Sequence, residues 1–182
     1  LMVDDAETSP EREAFLPAPQ ACPATMRFER FIRRSDRHRK HIQNLRELRS
    51  YAGYLRQSEQ SAYYRERWKQ YLSRNWRRAV RWAPVRRCLA SDWNWRRFDR
   101  IEARTPADEA VVAQLRDIKP DVVVATPANV RFDEEVEYLK AAQSLRIPTV
   151  TPVLTWDNLT TKGVFPLVAD LTLAWNAQHH EE

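Results

Sequence analysis

Glycine is nearly missing from this chain: of 182 residues only Gly53 and Gly163 are glycine. A GxGxxG fingerprint or a Walker-type loop needs more, so the usual nucleotide phosphate cradle is excluded. Cysteine is equally scarce. Cys22 and Cys88 stand in unrelated contexts, which indicates neither a disulfide framework nor a zinc site, and their simplest state is reduced. No apolar run approaches the roughly 20 residues that span a bilayer, and the start is acidic rather than basic and then apolar. A cytoplasmic setting is therefore expected.

What is present is charge and aromatic surface. Hydrophobic residues make up 43% and charged residues 30%, the balance of a soluble, globular chain long enough for one domain with a sizeable core, or for a domain plus a helical appendage. The net charge of +5 hides a division. Residues 1–104 carry 24 basic against 13 acidic side chains, whereas residues 105–182 carry 6 against 12. The basic surplus belongs to the first part.

Residues 1–25 hold Pro10, Pro17, Pro19 and Pro23 among acids and alanines and read as a linker or loop. From Met26 to Arg56 apolar side chains recur at three- and four-residue steps from Phe28 through Ile42, Leu45 and Leu48 to Leu55, with Ser35 and His38 interrupting. This predicts a long amphipathic helix, or two in line, whose other face carries Arg33, Arg34, Arg37, Arg39, Lys40, Arg46 and Arg49. A second helix is expected over Ser61 to Arg74, with Tyr64, Trp68, Tyr71 and Leu72 on one face, and Pro84 limits a third.

Between Arg74 and Arg100, Trp76, Trp82, Trp93, Trp95 and Phe98 interleave with seven arginines from Arg77 to Arg97. That alternation suits nucleic acid, an anionic membrane surface or a phosphorylated ligand, since it joins counter-charge to stacking or interfacial burial. The same composition arises when tryptophans pack inward and arginines stay solvated against their rings. Residues 26–104 are read as a basic helical subdomain.

After Thr105 the pattern changes. Thr105-Pro106-Ala107-Asp108 reads as a helix start with Thr as cap and Pro at the first helical position, followed by the stripe Val111, Leu115, Ile118 and a stop at Lys119-Pro120. Val122 to Thr126 is a short β-branched run of the kind buried on both faces of a parallel sheet. A helix over Asp133 to Arg146, a strand over Ile147 to Leu154 and a strand over Leu171 to Trp175 follow, with Asn176 opening a last helix. This alternation predicts a doubly wound parallel sheet over residues 105–182.

Between the last two strands lies Thr155-Trp156-Asp157-Asn158-Leu159-Thr160-Thr161-Lys162-Gly163. A loop placed there sits at the carboxyl ends of parallel strands, where α/β proteins bind their ligands. Asp157 can accept a proton, Asn158, Thr160 and Thr161 can hold hydroxyls, Lys162 can neutralise an anion, and Gly163 permits φ > 0. An ordinary strand-to-helix turn capped by Asp157 or Asn158 would use the same residues. His179-His180 suggests metal, but adjacent helical side chains diverge by roughly 100° and seldom share one ion. No metal site is expected.

The stretch from Lys119 to Glu182 resembles the end of the amino-terminal Rossmann-like half of bacterial GT-B glycosyltransferases of the capsule and surface-polysaccharide type. The resemblance rests on Pro120-Asp121, Thr126-Pro127, Arg146-Ile147-Pro148, the loop Trp156 to Gly163, Asp170, and Trp175-Asn176 with Glu181-Glu182. It covers about a third of the chain, and the loop is its specific part. Arg146 departs from it, since Gly is usual in that turn. The resemblance implies transfer of a sugar from a nucleotide-sugar donor to a cell-envelope or polysaccharide acceptor, sugar or lipid-linked. It implies no cofactor on these residues, the donor being held by a second Rossmann-like half on the carboxyl-terminal side. The chain starts at Leu1 and stops in what reads as a first helical turn, so a piece of a longer protein is expected, inactive by itself.

A looser likeness to CDP-glycerol glycerophosphotransferases, which carry Trp-His-Gly in the comparable loop, gives Asp157 the part of the base that deprotonates the acceptor hydroxyl. Trp156, Asn158, Thr160, Thr161, Lys162 and Gly163 would then line the substrate. Membrane association through the Arg/Trp-rich helices fits an acceptor held at the cell envelope. Two other classes stay open: a nucleic-acid- or anionic-surface-binding module without catalysis, and a structural or interaction domain that merely presents the loop.

Overall fold

The computed structural model describes residues 2–3, 29–57, 62–126, 133–153 and 163–174. The chain divides into two compact units, Leu1–Arg33 and Arg34–Glu182. In the first, β1 (Met2–Val3) pairs in parallel with β2 (Glu29–Arg30).

The second unit is mixed α/β and mostly helical. It begins with α1 (Arg39–Arg56), α2 (Ala62–Lys69), α3 (Arg74–Ala79), α4 (Ala83–Ala90) and α5 (Asp92–Arg104). The helix expected from Met26 starts only at Arg39. Asp36 explains the delay: its carboxylate accepts the His38 N–H at 3.0 Å and its carbonyl the Arg39 N–H at 3.2 Å, which forms a turn where Ser35 and His38 had broken the stripe. The expected second helix ends at Lys69 and a separate α3 follows, while Pro84 lies in the first turn of α4 and starts that helix. Ile42, Tyr51, Trp68, Leu72, Val80 and Phe98 are buried together as the core of this layer.

α6 (Glu109–Ile118) starts later than the sequence suggests. Thr105 belongs to the end of α5, where its hydroxyl donates to the Ile101 carbonyl at 2.8 Å, and Asp108 caps α6 by accepting the Ala110 N–H at 2.9 Å. Lys119 closes α6 at φ 50°. β3 (Val123–Val124), α7 (Asp133–Ser144), β4 (Thr149–Pro152) and β5 (Leu171–Leu173) complete the order.

The three strands form one parallel sheet in the order β3-β4-β5, with Val124 opposite Val150 and Val150 opposite Leu171. α7 packs against β3 and β4. Thr149, Thr151 and Val153 are buried, whereas Val122, Val124, Leu171 and Leu173 are exposed. Residues paired across parallel strands share a face, so Val124, Val150 and Leu171 lie on one side of the sheet. The run at Val122 is thus buried on one face and open on the other, in contrast to the two-sided burial its composition suggests. Arg146 ends the α7 turn at φ 59°, and the Ile147 N–H reaches back to the Ala142 carbonyl at 2.9 Å. This is a helix-closing geometry that glycine adopts without strain and that Arg146 adopts here.

A buried ionic network joins the helical layer to α7. Arg34 donates to Glu137 Oε2 at 2.9 Å and grips Asp36 at 2.8 and 2.9 Å. Arg46, on α1, donates to Glu137 Oε1 at 2.8 Å and to both oxygens of Glu102, on α5, at 2.8 and 3.1 Å. Lys140 donates to Glu102 Oε1 and to its carbonyl, both at 2.7 Å. Arg34, Arg46, Glu102, Glu137 and Lys140 are all buried. Burial by itself would raise the Glu102 carboxyl, but Arg46 and Lys140 hold it below its ordinary value. Burial pushes Lys140 down despite Glu102, and Arg34 is raised because Asp36 and Glu137 outweigh its burial.

Removing one member leaves the others buried and unmatched. Glu137→Gln is expected to lower unfolding free energy by about 3–5 kcal/mol in urea titration. Glu109→Gln, which breaks the exposed pair with Arg116, should stay within about 0.5 kcal/mol. Glu102 and Asp36 titrate lower in the fold than in the open chain, so their stabilisation is complete above the ordinary carboxylate range and disappears as pH falls through their lowered values. Thermal melts should accordingly weaken on acidification below about pH 4.

Candidate functional site

Trp156, Asp157, Asn158, Thr160, Thr161 and Lys162 lie outside the described residues, as do Pro127, Trp175, Asn176, His179, His180, Glu181 and Glu182. What the structure describes are the two ends of their loop. Its upstream end is β4, the central strand, where the Val153 N–H continues the ladder by donating to the Leu173 carbonyl at 2.9 Å. The segment therefore departs from the carboxyl end of the middle of three parallel strands.

Its downstream end, Gly163 to Pro166, is seated on the second half of α1. The Gly163 N–H donates to the Tyr54 hydroxyl at 3.3 Å, the Val164 N–H to Ser50 Oγ at 3.1 Å, and Arg49 Nη1 donates to the Pro166 carbonyl at 2.9 Å. Gly163 has φ 100°, a conformation that side chains rarely adopt. A Cβ on Gly53 would lie 2.7 Å from Val164 Cγ2, so this helical glycine gives the segment its close approach. Both glycines of the chain thus serve one junction.

The junction is rigid on the α1 side. Tyr54 stacks on Trp68 with ring centroids 5.4 Å apart, and burial raises its phenol above the ordinary value although the Gly163 N–H works against this. Arg49 and Arg56 lie over the Trp95 ring at 5.1 and 5.2 Å, and they pair with Asp99 and Asp92 at 2.6 and 2.8 Å. Burial lowers Arg49 despite Asp99 and Glu102.

No family model, curated protein or solved structure matches the chain.

Asp170 lies at the opposite end of the sheet from the loop. Its carboxylate accepts the Thr149 N–H at 2.8 Å and the Thr149 hydroxyl at 2.7 Å, and these bonds hold it below the ordinary value. It ties β5 to β4 and is a structural residue. Among the described residues no group of three or more His, Cys, Asp or Glu side chains is placed to hold a metal ion, and no helix is long and apolar enough to cross a membrane.

The Arg/Trp stretch divides. Phe98 is buried and Trp95 is half-buried between its arginines, but Trp82 is 72% and Trp93 59% exposed, with Trp76 also at the surface. Arg97 covers the Trp93 ring at 5.4 Å. Arg74, Arg77, Arg78, Arg81, Arg87 and Arg96 surround them in the open. Inward packing accounts for only part of these tryptophans. Between α1, α3, α4 and α5 an apolar cleft of about 490 Å³ opens beside Trp76 and Trp93, with the exposed thiol of Cys88 on its wall.

No local pattern marks Ser50, Tyr54 or Arg49 as partners of the segment at Gly163, since 109 positions separate Tyr54 from Gly163. Gly163→Ala is expected to cost about 1–3 kcal/mol through its positive φ. Tyr54→Phe, which removes the acceptor of the Gly163 N–H together with the hydroxyl's bond to Trp68, should cost about 1–2 kcal/mol. Urea denaturation of both variants checks this.

Proposed function

We propose that this chain is the acceptor-side part of a glycosyltransferase that moves a sugar from a nucleotide-sugar donor onto a cell-envelope or polysaccharide acceptor. The observation that supports it is the placement of the two described ends that flank the Trp-Asp-Asn segment. The loop leaves the carboxyl end of the central parallel strand and is caught again by Tyr54 and Ser50 on α1. Ligands of α/β proteins collect at that edge, and a catalytic loop gains from being held at both ends on regular elements.

In this reading the three strands belong to a Rossmann-like doubly wound sheet, one half of a GT-B fold, whose open face takes further helices. Asp157 is the base that draws the proton from the attacking acceptor hydroxyl. Trp156, Asn158, Thr160 and Thr161 orient the acceptor, Lys162 meets a phosphate, and Gly163 sets the turn. The nucleotide-sugar lies on a second Rossmann-like half, because two glycines leave no cradle for its phosphates here. The exposed Trp76, Trp82 and Trp93 among arginines fit the headgroup region of an anionic leaflet, where each nearby basic residue contributes about 1 kcal/mol.

Asp157→Asn in the full-length enzyme is expected to reduce turnover by about 100-fold or more at unchanged stability, since Asn caps a helix as well as Asp. Unchanged turnover removes the base assignment. Co-sedimentation with vesicles should rise with their anionic lipid content and fall by an order of magnitude or so in the Trp82→Ala, Trp93→Ala double variant. Binding indifferent to lipid charge, or a salt-dependent gel shift of single-stranded nucleic acid without vesicle binding, would assign the face to another partner.

A further inference from the structure

Away from the loop, a second cavity of about 440 Å³ lies between α1, α2 and α4, lined by Tyr51, Leu55, Arg65, Glu66, Lys69 and Arg86. Among the described residues its charge is one-sided, with three cations against one carboxylate. Glu66 is engaged by Lys69 through an ion pair. Arg86 is half-buried and donates from Nη1 to the carbonyls of Val80 and Arg81 at 3.0 and 2.8 Å, bonds that fix the guanidinium without neutralising it. Arg65 is half-buried and makes no ion pair or hydrogen bond among the described residues. Half-buried guanidinium groups with no counter-charge are unfavourable unless an anion completes them.

The second observation is the floor of the cavity. Tyr51 is wholly buried, and its hydroxyl has no hydrogen-bond partner among the described residues. The charges that act on it are Arg86, Glu66 and Arg65, the groups of the cavity wall. A buried donor without an acceptor is a rare and costly arrangement in folded proteins. Here it is gathered with two arginines that have no carboxylate partner among the described residues.

We infer that this cavity is a binding site for a phosphate group. A phosphomonoester carries a charge of about −1.5 to −2 near neutral pH, which matches the excess of two positive charges, and it presents three strong acceptor oxygens. Arg65 and the unused Nε and Nη2 of Arg86 offer forked donors, which fit phosphate oxygens in pairs. Lys69 adds a point charge, and the Tyr51 hydroxyl donates from below. A carboxylate would satisfy fewer of these donors and only half of the charge. The site stands apart from the proposed sugar transfer and does not depend on it.

Isothermal titration of the intact chain with inorganic phosphate in a chloride buffer near neutral pH tests this. Saturable binding at one site is expected, with Kd raised about tenfold or more in Arg65→Gln and in Tyr51→Phe. Tyr51→Phe distinguishes a ligand role from a structural one: it removes an unpaired buried hydroxyl, so the free protein should melt no lower than the parent while the phosphate-induced rise in melting temperature shrinks. Arg116→Gln, on the exposed side of α6, should bind as the parent does. Phosphatidic acid vesicles that compete with phosphate in the parent but not in Arg65→Gln place the phosphate on a lipid headgroup. Phosphate binding untouched by those vesicles places it on a soluble ligand. No saturable binding, or the same Kd in the parent, Arg65→Gln and Tyr51→Phe, overturns the assignment.

Discussion

Glu137 accepts from two guanidinium groups at once, Arg34 at 2.9 Å and Arg46 at 2.8 Å, in a place that water does not reach. Neither carboxylate nor guanidinium could be buried there alone, because the desolvation of an unpaired charge exceeds anything its packing returns. Four parts of the chain must therefore arrive together: the segment at Arg34, α1 with Arg46, α5 with Glu102, and α7 with Glu137 and Lys140. An apolar contact tolerates slippage by a methyl group. A guanidinium clamped between two carboxylates does not, and the network fixes how α7 lies on the helical layer.

Everything that positions the loop follows from this. α1 is the shared axis: Arg46 anchors its middle to α5 and α7, and one turn later Arg49, Ser50, Gly53 and Tyr54 receive the segment Gly163 to Pro166. α7 in turn packs on β3 and β4, so the strand that launches the loop and the helix that catches it are referred to the same frame. The two glycines mark where that frame leaves no room for a side chain or requires a positive φ.

The parts of this design that were legible in the sequence are those carried by local patterns. The stripe Ile42, Leu45, Leu48 located α1, the run Val136, Leu139, Ala142 located α7, and the β-branched stretches at Val123 and Thr149 located two strands of the parallel sheet. Arg34, Arg46 and Arg49 stand on the face opposite the apolar stripe in the expected helix, and all are buried. A signal was available for two of them: Ile42, Arg46, Arg49 and Gly53 recur at helical steps, on the same side as the core. Recognising them needed Glu102 and Glu137, which lie 56 and 91 positions from Arg46, and no local pattern announces such a pairing. For the loop, composition offers candidate residues but does not disclose the anchor on α1. The offset at Thr105 has a local cause, since Thr and Asp are both good caps and the residue left over turns back to bond α5.

Arginine serves both halves of this architecture, which explains why charge counting alone misplaces it. Lys40, Lys69, Lys119, Lys140 and Lys162 are the only lysines, so nearly all of the basic surplus is guanidinium. A guanidinium is weakly hydrated, forks onto carboxylates and stacks on rings, and it is therefore as suited to the interior beside Glu137 as to the surface above Trp93. Once Asp36, Glu102 and Glu137 are engaged within the network, and Asp92 and Asp99 by Arg56 and Arg49, the stretch from Arg74 to Arg104 retains no acid that is not already paired. Its outward arginines repel one another between exposed tryptophan rings. That repulsion opposes the compact state wherever the chain is alone. Counter-ions screen it at physiological salt, and the net charge of +5 understates how positive the surface of α3 to α5 is, because the acids of the chain are engaged elsewhere.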